Sequence, residues 1–157
     1  MADTHLLERR AVRVGPERRA ARVTETASPS YKVYRLLQAG FVALPIIAGA
    51  DKFFHLLVNW DIYLANPIAK MLPFSAHTFM LIAGVIEIAA GFLVAFAPRI
   101  GGFVVSAWLS GIVLNLLLPP GYYDIALRDF GLALAACGLG QLAKEYGRPL
   151  WKAYRPD

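Results

Sequence analysis

The chain has 157 residues, room for one domain, with hydrophobic residues at 57% and charged ones at only 17%, where a soluble domain carries roughly 25%. The charge is also uneven: eight of the sixteen Lys and Arg fall in the first 35 residues and four more (Lys144, Arg148, Lys152, Arg155) in the last 14, so the net +5 belongs to the ends. The stretch between has apolar runs long enough to cross lipid, which excludes an ordinary soluble domain. Basic ends beside such runs answer to anionic headgroups and orientation, not to nucleic acid.

In chain order, residues 1–30 alternate Arg, Ala, Val and Glu with Gly15-Pro16 and Ser28-Pro29 and contain no apolar core, so no signal peptide is expected. Arg9-Arg10 and Arg18-Arg19 lack the compact apolar segment that a twin-arginine signal needs close behind. The stretch reads as a basic tail, partly helical from Leu6 to Arg22 and lying on the membrane surface; His5 within it has no visible role.

The first span covers about Val33 to Trp60. Its apolar core ends near Ala50, the polar triplet Asp51, Lys52 and His55 follows, and Pro45 predicts a kink by removing one backbone hydrogen bond. Residues 61–74, broken by Pro67 and Pro73, predict a loop with a short interfacial helix. The second span runs from Ser75 to Ala97 and stops at Pro98-Arg99. A two-residue glycine turn leads to a third span, Phe103 to Leu118, closed by Pro119-Pro120-Gly121, and a fourth runs from Tyr122 to Lys144. Lipid offers no partner to unpaired backbone, so these elements predict an all-α fold, a transmembrane four-helix up-down bundle. The expected domains are a basic tail over 1–30, the bundle over 31–145 and a second basic tail over 146–157.

The N-terminal tail, Arg99 and the C-terminal tail share one side of this topology, and the other side has only Lys70, set against Asp61. The positive-inside rule then places both termini in the cytoplasm of a cell inner (plasma) membrane. Gly84 and Gly91 share a helical face with Glu87, Gly111 lies four residues from Asn115, and Gly131, Ala135 and Gly138 form a further small stripe. Such residues let membrane helices approach closely, and a homo-oligomer is compatible with the pattern. The single cysteine, Cys137, excludes an internal disulfide or a dithiol centre and reads as a small apolar group.

Several polar residues are costly in lipid. Glu87 lies 12 residues beyond Ser75, roughly 18 Å along its helix and near mid-membrane, where a carboxyl group needs a partner. Asp124 and Arg128 are one turn apart and can pair, with Asp129 beside them. Arg128, about 9–10 Å inside its helix start, is too deep for snorkelling alone and calls for a carboxylate or an anionic ligand. Aligning the spans by depth gathers Asp51, Lys52, His55, His77, Asn115, Asp124, Arg128 and Asp129 in the extracytoplasmic half above Glu87. The cytoplasmic half offers almost nothing comparable. The pattern predicts a polar cavity opening outward, with Lys52, His55, Glu87, Arg128 and Asp129 as cofactor-binding positions. A metal site is not expected, since there is one histidine per helix with no close spacing, and His77 reads as an interfacial or capping group.

GADKFFH at the end of the first span, GVIEIAAGFLVAFAPR in the second and YYDIALRDFGLALAA in the fourth resemble the DoxX-like family of small four-span membrane proteins over about residues 33–145. The resemblance implies a place in a membrane-linked oxidoreductase system, such as a thiosulfate:quinone oxidoreductase or complexes that handle thiol or oxidative stress. It makes the cavity a quinone or small-reductant site, with Lys52, Glu87, Arg128 and Asp129 as the matched polar positions. No haem or iron-sulfur ligand set is evident, so the electrons would come from a membrane or peripheral protein partner. Two alternatives stand beside this quinone-linked subunit: a non-catalytic membrane assembly or stability subunit, and a small-solute carrier. No catalytic residue is assigned.

Overall fold

The structure, a computed structural model, describes residues 28–147. The tail helix expected over Leu6 to Arg22 and the basic residues Arg148, Lys152 and Arg155 lie outside the described residues. Four long helices account for most of the described chain: α1 (Pro29–Phe54), α3 (Ala76–Phe96), α4 (Pro98–Leu116) and α5 (Tyr123–Tyr146); a 3-10 turn (Trp60–Tyr63) and the short α2 (Asn66–Ala69) lie between α1 and α3. The long helices have 26, 21, 19 and 24 residues, or about 29–39 Å at 1.5 Å per residue, which matches a hydrocarbon layer of about 30 Å. All four are apolar enough to cross a membrane, and large side chains such as Leu36, Ile47, Phe92, Leu127 and Leu134 cover the outside of the bundle. Among the described residues there is no strand. The expected all-α transmembrane bundle is the observed fold.

Local chemistry sets the helix ends. The Ser28 hydroxyl accepts a hydrogen bond from the Tyr31 amide at 3.3 Å, and Pro29 opens α1, where its missing N–H costs nothing. Ser75 caps α3 in the same way through the Thr78 amide at 3.2 Å. Pro98 starts α4 immediately after Ala97 ends α3. This corrects the expected glycine turn, because Gly101 and Gly102 lie inside α4. A Cβ at Gly101 would sit 2.6 Å from the Val94 backbone, and one at Gly102 would sit 2.7 Å from the Gly140 nitrogen. The two glycines therefore admit neighbouring backbone and do not turn the chain.

α1 packs chiefly on α3 and α4 chiefly on α5, with lighter contacts joining the two pairs. Gly49 and Gly84 meet so closely that a Cβ on either would fall within 2.6 Å of the other's carbonyl oxygen. On α5 the packed stripe is Ala133, Ala136, Gly140 and Ala143. Of the expected stripe Gly131, Ala135 and Gly138, Ala135 packs against the buried core, while both glycines have open space at the Cβ position, as does Gly111 on α4. The buried core, Tyr34, Phe41, Ala90, Val94, Val105, Ala136, Leu139 and Ala143, lies toward the end that carries the chain termini. That end is not free of polar groups: Gln38 is fully buried and accepts from Arg35 Nη1 at 2.7 Å.

Candidate functional site

The opposite end of the bundle surrounds a half-open cavity of about 560 Å³, walled largely by apolar and aromatic side chains including Phe41, Trp60, Phe79, Met80 and Trp108. Its size falls within the range of about 300–1,000 Å³ typical of small-molecule sites. Lys52, near the end of α1, and Glu87, the twelfth residue of α3, form part of the wall and pair at 2.6 Å, with 4% and 10% of their side chains exposed. Two charges so far out of water persist only when paired and hydrogen-bonded, and both conditions are met. Lys52 Nζ donates to Glu87 Oε2 and to the Ala48 carbonyl at 3.5 Å, and lies 3.9 Å from the centroid of the Trp60 ring, a cation–π contact. The other Glu87 oxygen accepts from the Trp108 indole N–H at 3.4 Å. Gly49 and Gly84 bring α1 and α3 close enough for the pair to form, since a Cβ at Gly84 would meet the Lys52 Cβ at 3.2 Å.

The loop over the cavity is held by side chains that reach back to its backbone. Asp51 Oδ1 accepts from the amides of Leu56 and Leu57 at 2.9 and 3.1 Å, and Oδ2 accepts from the Trp60 indole N–H at 2.7 Å. Asp51 thus positions the ring that covers Lys52. From α4, Asn115 Nδ2 donates to the Tyr63 carbonyl at 2.6 Å and Oδ1 accepts from the Ala65 amide at 3.0 Å. Leu64 and Ala65 are buried by this anchoring, and Tyr63 packs edge-on against Tyr122 with ring centroids 5.2 Å apart.

Of the sequence-derived positions, Lys52, Glu87 and Asp129 come together at the cavity. Asp129 is half-buried in its wall and within electrostatic range of Glu87 and Lys52. Arg128 borders the cavity, but its side chain is 75% exposed and reaches back one turn to Asp124 at 3.4 Å. This is the one-turn pair that the spacing predicts, and Asp124 is the carboxylate that the depth of Arg128 calls for. His55 does not line the cavity. It stacks on His77 at 5.5 Å, and His77 Nδ1 lies 3.1 Å from Asp61 Oδ2, so Asp61 pairs with this histidine.

Sequence reasoning missed the two indoles, Trp60 and Trp108. The signal was present for Trp108, whose N–H must find a partner in mid-span. Chemically, the wall offers aromatic faces for a planar ring, N–H donors from Lys52 and Trp108, and two carboxylates, Glu87 and Asp129, able to exchange protons. Comparison of the chain with protein-family models, curated proteins and solved structures finds no match.

Proposed function

We propose that the cavity receives the headgroup of a lipid-soluble quinone and that the chain is the small membrane subunit of a quinone-linked oxidoreductase assembly. The observation that carries this reading is the Lys52–Glu87 pair set in the wall of a largely apolar and aromatic cavity of headgroup size, with Glu87 at the middle of α3. A quinone ring presents two carbonyl acceptors and two apolar faces. Lys52 and Trp108 supply donors, Trp60 and Phe79 supply faces, and the carboxylates of Glu87 and Asp129 can relay from water the two protons that accompany two-electron reduction. The electrons come from a partner protein, because a chain with one cysteine has no dithiol of its own. The three motifs that resemble the DoxX-like family support the same assignment. By the distribution of basic residues, both termini lie in the cytoplasm of the plasma membrane and the cavity occupies the extracytoplasmic half.

The test is titration of the purified chain in lipid nanodiscs with a short-chain ubiquinone analogue while tryptophan fluorescence is read. Saturable quenching, at least tenfold weaker in Glu87→Gln and reduced in amplitude in Trp108→Phe, is expected. Linear quenching of equal slope in all three proteins, the signature of simple partitioning into lipid, rejects the proposal.

A second reading is a non-catalytic assembly subunit. It is favoured by the saturation of Lys52, whose ammonium already meets a carboxylate, a carbonyl and an aromatic face. Deleting the protein would then lower the partner's abundance, and the quinone titration would show partitioning only.

A further inference from the structure

His55, Asp61 and His77 are six and sixteen residues apart in sequence and come from three elements: the C-cap of α1, the 3-10 turn and the first turn of α3. The fold brings one ligand-capable atom of each to within 4.8 Å of the others. The His77 Nδ1 to Asp61 Oδ2 distance of 3.1 Å is close to the edge of a tetrahedron around a zinc-sized ion, whose ligands at about 2.0–2.1 Å lie about 3.4 Å apart.

Two further observations mark the cluster. Asp61 Oδ1 is the one buried side-chain oxygen or nitrogen among the described residues that has no hydrogen-bond partner, and such a group normally has a partner of some kind. His55 is the one non-glycine among them with positive φ, at 53°. Glycine is the usual residue at this left-handed helix cap, and the histidine accepts a strained backbone there while its ring stacks over His77.

We propose that His55, Asp61 and His77 form a three-ligand site for a divalent transition metal. Two imidazoles and one carboxylate suit zinc, copper or nickel, and the half-exposed side chain of His77 leaves a coordination position open to water. The site is separate from the Lys52–Glu87 pair and does not rest on the quinone reading. Its position gives it a structural consequence: the ion ties the end of α1 and the start of α3 to the turn that carries Trp60, the ring that covers Lys52.

The experiment uses the full chain, purified without a histidine tag, stripped with chelator and titrated with Zn²⁺ against a chromophoric competitor. Cu²⁺ loading, read by electron paramagnetic resonance, runs in parallel. One equivalent of zinc per chain is expected, with affinity reduced at least tenfold in each of His55→Ala, His77→Ala and Asp61→Asn and unchanged in His5→Ala. The copper spectrum should carry superhyperfine structure from two imidazole nitrogens. The elution volume of each variant reports whether it is folded, and the copper spectrum of the unmutated chain stands independently of the variants. Zinc affinity that is unchanged in His55→Ala and His77→Ala, or lost in His5→Ala, overturns the proposal, as does a copper spectrum without two nitrogens.

Discussion

The two ends of this bundle are built differently from the same four helices. At the end carrying the termini the space is filled. Tyr31, Tyr34 and Tyr146 form a triad with ring centroids 5.7–6.1 Å apart, Val94, Ala136 and Leu139 are fully buried, and Gly101, Gly102 and Gly140 admit close neighbours. At the other end the helices surround a cavity, and the 55–74 loop is held by hydrogen bonds that Asp51 accepts and that Asn115 both donates and accepts. Lipid gives helices little hydrophobic reason to associate, so contact must come from close packing or from polar bonds. One end uses mainly the first and the other mainly the second. The polar groups that packing does not require are gathered where packing is incomplete, and this separates a site from a scaffold.

The largest expected effect breaks the pair at the junction of the two regions. Lys52→Ala strands the Glu87 carboxylate and should cost about 3–5 kcal/mol, whereas Lys52→Met combined with Glu87→Leu should recover most of that loss in detergent unfolding. Next, Leu139→Ala at the filled end should cost about 2 kcal/mol. This is the low end for buried leucines, because the cavity it leaves counts while the transfer from water does not. Ile112→Ala, already facing the cavity, should cost distinctly less. Gly84→Val, whose Cβ meets the Gly49 carbonyl oxygen at 2.6 Å, should cost about 1–3 kcal/mol by forcing α1 and α3 apart. Gly111→Ala, with nothing within 4 Å, should be neutral or slightly stabilising. Asn115→Leu should cost about 1–3 kcal/mol and show first as faster proteolysis within residues 56–74 while helix content is unchanged.

The four spans were legible because the bilayer enforces them: apolar length, Ser caps and Pro starts name the helices with little help from tertiary context. The junction of α3 and α4 was not, since Gly101-Gly102 reads as a turn until the backbones of Val94 and Gly140 are seen beside it. Glu87 and Lys52 stood out by the cost of charge in lipid, but their direct pairing, 35 residues apart, is set by the Gly49–Gly84 crossing. Arg128 and Asp124 pair as their one-turn spacing predicts, while the exposure of the Arg128 side chain could not be read from depth along the helix. Gln38 has no comparable signature in the sequence, because an uncharged amide costs less in lipid than a carboxylate, although it is more completely buried than either charge. The histidine–aspartate cluster has no sequence signature at all, since its members meet only when the loop folds back onto α3.

The most direct test of the difference between the two ends is the small-molecule content of the chain purified from its own membrane, compared with Leu109→Trp, which puts an indole into the cavity from a wall position other than Lys52 and Glu87. Mass spectrometry of the extracted lipids should find a quinone at close to one per chain in the unmutated protein and a small fraction of that in the variant. Equal quinone in both, or none in either, would contradict a ligand site at the loop end and leave the cavity as unfilled space in a structural bundle.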